Sequence, residues 1–341
     1  MSTHVVGQPV DRADGRLKVT GAARYSADVP IAHLVHAVLI QSTIARGRIT
    51  SLETQAAERV PGVLAIITHR NVPRLFPAPV GLSDKDILAG SAGQSYMPLQ
   101  DEIIHHSGQH IGVVVAQTLE QATYAASLVR AQYEYEQPVV SIQEALPHAF
   151  APKNVWGEPA NTTQGNVEQG LAQAEVRIDQ TYITAVQHHN TMETHATIAQ
   201  WQGDTLTLYE SSTWVYGVRR TVALWLNIPE EKIRVVEHFV GGSFGCKGPT
   251  WPHVVLAAIA AQRVDRPVKL VLTRQQQFTS IGYRPEIHHH IQLGATRDGR
   301  TGLRAPDRPP RLAIAQLCRG RSRKWASLVE QVVACMLSAR S

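Results

Sequence analysis

Residues 232–240 read KIRVVEHFV, and 240–248 read VGGSFGCKG. A run rich in β-branched residues gives way to four glycines in nine positions, and an apolar helical pattern begins at Trp251. Strand, glycine loop and helix in immediate succession leave few ways to fold. Glycine admits positive φ and close backbone approach. A helix N-terminus presents unpaired N–H groups and partial positive charge. Two phosphate templates do not fit. A P-loop ends in Gly-Lys-Ser/Thr, whereas this loop ends in Cys246-Lys247-Gly248, and Gly241-Gly242-Ser243-Phe244-Gly245 is not GxGxxG. The residues alone therefore leave two readings open: a cradle for an anion or cofactor, or a tight strand–helix connection.

The rest of the chain reads as α+β. Residues 34–40 (LVHAVLI), 63–68 (VLAIIT) and 111–116 (IGVVVA) predict buried strands. Residues 56–60 predict a short helix stopped by Pro61-Gly62, and residues 119–131 a longer one capped by Thr118. In the second half, TLTLYE at 205–210 alternates as a half-buried strand. Residues 215–226 and 251–264 predict helices, and 233–240 and 267–273 strands. Residues 69–98 read as a long surface loop, and the Pro/Gly/Asn-rich 147–165 as a linker.

The net charge of +5 is unevenly placed. Residues 301–341 hold eight Lys/Arg against two acids, a net +6, so the first 300 residues carry −1. That balance argues against a nucleic-acid partner for the whole chain. A tail such as RAPDRPPR cannot bury enough apolar surface to offset its ordering entropy. No run of about 18 apolar residues marks a membrane span. Cys246, Cys318 and Cys335 form neither a disulfide framework nor a CxxC pair, which fits a reducing compartment. His288, His289 and His290 lack zinc spacing and read as a solvated strand. Cys246 with a histidine could make a nucleophile pair, but no orienting group is visible, and a small packing role is the simpler reading.

Five ordered segments resemble the molybdenum-binding subunit of the xanthine dehydrogenase and aldehyde oxidase family. They are DGRLKVTGAARYSADVP (14–30), residues 42–63 ending in Pro61-Gly62-Val63, residues 109–133, QHHNTMETHATIAQW (187–201) and VGGSFGCKG. The resemblance spans about residues 5–300. It implies an α/β hammerhead domain at 15–137 with a core of its own and a linker at 138–165. It further implies a first, incomplete molybdopterin-cofactor-binding domain at 166–300, with a basic, unstructured or frameshifted tail at 301–341.

By the same resemblance, Gly241, Gly242, Phe244 and Gly245 lie beside the cofactor, with Phe244 toward substrate. A Cβ at Gly241 or Gly242 is expected to intrude on the cofactor's space. Gln187 matches the glutamine near the metal, and Glu193 and His195 are expected to be structural support. Purine-hydroxylating members carry a glutamate where this chain has Gly248, so an aldehyde or other small carbonyl or heterocycle is the expected substrate. The details look most like the bacterial aldehyde oxidoreductase branch, with the cytosine dinucleotide form of the cofactor. A heterotrimer with iron–sulfur and FAD subunits is implied, in the cytoplasm or in the periplasm by export with a partner, with no nucleic acid and no membrane.

The implied reaction is attack by a metal-bound hydroxide with hydride passing to a metal sulfide. Members run to roughly twice this length, and no residue here matches the glutamate that serves as general base. A truncated or frameshifted product, inactive alone, is therefore expected, which a genomic read across the codons for 295–310 would test. The alternatives are a remnant folded only in the hammerhead domain, a xanthine dehydrogenase subunit, and a nucleic-acid-binding tail.

Overall fold

A computed structural model describes residues 7–76, 96–151, 154–155, 158–159, 161, 165–297 and 315–318. Its contacts divide the chain into two units. Among the described residues, the first takes those within Met1–Ala78, Gly90–Tyr135 and Asn190–Ile281; the second takes those within Glu136–His189 and Gly282–Ser341.

The first unit is built on a mixed seven-stranded sheet. Its spatial order is Ile233–Val236, Thr205–Glu210, Ala196–Gln202, Val268–Val271, Val35–Gln41, His110–Ala116, Val63–Thr68. The N-terminal strands are thus continuous with those of the second half. Val35 pairs in parallel with Val268, and Ala37 with Leu270. The other edge of Val35–Gln41 pairs antiparallel with His110–Ala116. The unbroken apolar run HIGVVVA is explained by burial of every one of its residues, as befits a strand covered on both faces.

The two faces serve different cores. On one, Ile40, Ile49, Leu52, Ile104, Ile111 and Val114 close a cluster drawn only from the N-terminal segment. On the other, Val35, Ala37, Val113 and Val115 pack with Leu208, Val222, Leu256 and Leu270 from the second half. The core expected within 15–137 is therefore present on one face and shared on the other.

The helix Pro252–Val264 packs against Ala196–Gln202 and Val268–Val271 and buries ten consecutive residues, Pro252 through Ala261. A helix apolar all round is a core helix. Proline at its first turn costs no hydrogen bond. Asn227, with φ 52, ends the helix Val215–Leu226 in the left-handed conformation that asparagine tolerates.

Three expectations change. The helix from Leu119 ends at Leu128, not Ala131, because Arg130–Tyr135 pairs with Gly47–Glu53 as a strand. Thr118 does cap it, accepting from the Gln121 amide. The strand from Ile233 stops at Val236, where its partner Thr205–Glu210 runs out, Tyr209 facing Val236. In the tail expected to be unstructured, Ala315–Cys318 pairs antiparallel with His289–Gln292. The remaining residues of 301–341, and 77–95 of the expected surface loop, lie outside the described residues.

In the second unit, two nine-residue strands, Val176–Thr184 and Ile287–Ala295, pair antiparallel along their length. His288 contacts Glu286 at 2.6 Å and His290 contacts Asp179, so these histidines sit on a partly solvated strand face. Gln187–His188 pairs with Tyr283–Arg284.

Candidate functional site: the glycine loop

The glycine loop leaves the sheet after Val236 and enters the helix Pro252–Val264. Three of its residues have positive φ: Gly242 (96°), Phe244 (52°) and Gly245 (98°). For Phe244 this is an uncommon conformation, costing roughly 1–2 kcal/mol relative to the ordinary helical region. Phe244 is 65% exposed, so burial of its side chain does not offset the cost. The backbone runs so that no described residue accepts a hydrogen bond from the amides of Gly242, Ser243, Phe244 or Gly245.

Both ends of the loop are tied down. At its start, the Gly241 amide donates to Glu193 Oε2 (2.7 Å), and the Glu193 amide donates to the Gly241 carbonyl (3.0 Å). At its end, the Lys247 ammonium donates to the same Glu193 Oε2 (2.6 Å). The Lys247 side chain is 0% exposed and that of Glu193 13%. Glu193 Oε1 is buried without a hydrogen-bond partner among the described residues. Thr213 N and Ser212 Oγ donate to the Lys247 carbonyl, and Trp251 Nε1 donates to the Cys246 carbonyl (2.6 Å).

Behind the loop lies a buried polar chain. His195 Nε2 lies 3.3 Å from the Cys246 carbonyl, and His195 Nδ1 lies 2.9 Å from Gln277 Nε2. That pairing suits a neutral ring protonated on Nε2, with Nδ1 accepting from the Gln277 amide. Arg274 donates to Asn190 Oδ1 (2.9 Å), the Met192 carbonyl (2.8 Å) and Gln277 Oε1 (2.7 Å), fixing the segment that leads into Glu193. Thr191 Oγ1 donates to the Glu193 carbonyl. Burial pushes the Cys246 thiol up to about 11, and its Sγ–H donates to the Ser243 carbonyl (2.9 Å). Cys246 therefore meets His195 through its carbonyl oxygen, and the pair has no nucleophilic geometry. Glu237 is raised above the ordinary carboxyl range by burial and then by the nearby charge of Glu193.

The expected site residues divide accordingly. Gly241, Gly242, Phe244 and Gly245 form one loop. Gln187 belongs to the second unit, on the short strand opposite Arg284. At Gly241 the steric reason differs from expectation: an added Cβ would lie 2.4 Å from the Glu193 Cβ, space that the protein itself fills. At Gly242 a Cβ would meet nothing closer than 3.4 Å, and the requirement is the positive φ. Arg274, Gln277 and Thr191 escaped the sequence reading, since their local patterns are those of an ordinary helix and loop.

Residues 148–304 match the molybdopterin cofactor-binding domain family, and residues 20–137 match the aldehyde oxidase and xanthine dehydrogenase a/b hammerhead domain family. The aldehyde oxidoreductase molybdenum-binding subunit PaoC of Escherichia coli (strain K12) is 36% identical over 302 residues, covering 87% of this chain and 38% of its own. The xanthine dehydrogenase molybdenum-binding subunit of Escherichia coli O157:H7 is 32% identical over 293 residues, covering 84% and 39%. The solved quinoline 2-oxidoreductase from Pseudomonas putida 86 superposes with a TM-score of 0.72 at 24% identity, covering 86% of this chain and 38% of that one, a likeness of fold. The chain thus spans less than two-fifths of the length of the curated relatives compared.

Proposed function

This chain belongs to the molybdenum-binding subunits of the aldehyde oxidase and xanthine dehydrogenase family, and from that premise we propose that residues 240–248 form one wall of a molybdopterin site in an aldehyde-oxidising enzyme. The observation that carries the reading is the set of four adjacent amides, Gly242 to Gly245, with no acceptor among the described residues. An oxygen-rich, anionic group fits such donors, and the positive φ values let the backbone approach it without a Cβ in the way. When bound, the cofactor supplies the redox chemistry, taking two electrons from the substrate as a water-derived oxygen is added.

The chain's own residues bind and orient. The loop amides would donate to the cofactor's oxygens. Phe244, exposed on the loop, supplies an apolar wall for the substrate. His195, buried, holds the Cys246 carbonyl from behind. The general base comes from the length of the relatives that this chain does not span. Iron–sulfur and FAD subunits are the proposed electron-carrying partners, and the cytosine dinucleotide is the proposed cofactor form. The proposed compartment is the cytoplasm, or the periplasm by export with a partner. Among the described residues no helix is long and apolar enough to cross a membrane.

An aldehyde is favoured by the name of the 36% identical relative and by Gly248, which offers no carboxylate for a purine. A Cβ at Gly248 would meet only the Gly245 carbonyl, at 3.8 Å. Gly248→Glu should therefore leave the melting temperature within about 2 °C of wild type, the size expected of a surface change. A larger drop in a thermal scan would show that the position is closed to side chains.

The test of the function is to purify the chain alone and together with the remaining portion of the PaoC relative supplied as a second polypeptide. Molybdenum, pterin and turnover of an aromatic aldehyde with an artificial acceptor are then measured. The expected result is pterin and turnover only in the combined sample. A combined sample that assembles without pterin overturns the proposal, and turnover by the chain alone places the base within these 341 residues.

A further inference from the structure

We propose that Glu193 is the positioning residue of the glycine loop, and that Lys247 is its counter-ion and not a ligand for any anion. A lysine closing a glycine-rich loop before a helix is, from sequence alone, a natural candidate for a phosphate or cofactor oxygen. Here its ammonium is wholly buried and committed to Glu193 Oε2 at 2.6 Å. The same oxygen receives the Gly241 amide at 2.7 Å. One carboxylate oxygen therefore joins the first glycine of the loop to the residue six positions on. The intervening amides of Gly242 to Gly245 remain unengaged.

The backbone that carries Glu193 is itself held. Glu193 N–H donates to the Gly241 carbonyl, Thr191 Oγ1 donates to the Glu193 carbonyl, and Arg274 grips Asn190 and Met192 just before it. Gly241 is required because its missing Cβ is what lets Glu193 come this close. A buried lysine left without its partner carries an uncompensated charge, so removing Glu193 alone should harm the loop more than removing both charges. The purpose assigned to this latch rests on the cradle reading. Its existence does not, and the test reads the cofactor-free chain.

Cys246 is the reporter, since its thiol is 1% exposed inside the loop and oxidises or alkylates only when the loop opens. The 341-residue chain and its Glu193→Gln, Lys247→Met and double variants are treated with iodoacetamide. The Cys246 peptide is followed by mass spectrometry, and amide exchange is measured at Gly241 and at the core residues Val113 to Val115. In Glu193→Gln, labelling of Cys246 should rise roughly tenfold to a hundredfold while core exchange changes little, the signature of local opening. The double variant should label more slowly than Glu193→Gln. Unchanged labelling in both single variants with the core intact overturns the latch. Should the variants fail to fold, the unmodified chain decides: slow exchange of the Gly241 amide relative to Gly242 is expected, and equal fast exchange of the two overturns the proposal. A latch present in a chain that takes up no pterin when complemented would refute the cradle alone; pterin uptake without a latch would refute this inference alone.

Discussion

Leu270→Asp should destabilise the first unit by at least about 4 kcal/mol, the range for an unpaired charge buried in a core. Leu270 is fully buried at the centre of the seven-stranded sheet, its backbone paired to Ala37 on one side and Thr197 on the other. The substitution lies in the second half of the sequence, yet its effect should reach the first. Val113 and Val115 share the core cluster with Leu270. Their amide exchange should accelerate in step with that of Ile198. Full protection of Val113 to Val115 in this variant would show that the N-terminal strands fold alone, on the strength of the cluster around Leu52 and Val114.

Gly241→Val should cost about 3 kcal/mol, near the upper range for forcing atoms into a packed site. Its Cβ would lie 2.4 Å from the Glu193 Cβ, so either the loop or the 190–193 segment must move. Breaking the contact also frees the buried Lys247. Gly242→Val presents the opposite case. Its Cβ finds ordinary contacts, and the cost is that of a β-branched residue at φ 96°, roughly 1–2 kcal/mol. In a complemented, pterin-bearing assembly, Gly242→Val should lose molybdenum out of proportion to its small loss of stability. Urea unfolding separates the two variants, and in Gly242→Val a loss of molybdenum no greater than the loss of stability would mean that the loop is merely a turn.

The strand–loop–helix at the site was legible because β-branched residues, glycines and an apolar helical period follow one another without a gap. The helix Val215–Leu226 was legible for a similar reason, its periodicity ending at Asn227. The end of the helix at Leu128 was not. RAQYEY alternates weakly, and its strand state is decided by pairing with Gly47–Glu53. Nor could the sheet order be read, since nothing local in VHAVLIQ indicates that its neighbour is VKLV. The loop's support was hidden by distance: Glu193 and Lys247 are 54 residues apart, and opposite charges at that separation carry no periodic signal. The resemblance marked Glu193 and His195 as supporting residues, but the contacts that make them so come from the fold.

The pairing of Val35–Gln41 with Val268–Val271 also has a consequence for synthesis on the ribosome. The joint is reinforced by Arg266 donating to the His33 carbonyl, 233 residues away in sequence. At roughly 5–20 residues per second, the N-terminal strand emerges tens of seconds before its neighbour exists. Throughout that interval its edge offers unpaired N–H and C=O groups to any other nascent or misfolded chain. Vectorial folding can complete the cluster around Leu52 early, but the sheet closes only after translation has passed Val271, which makes the half-made chain a natural client for chaperones.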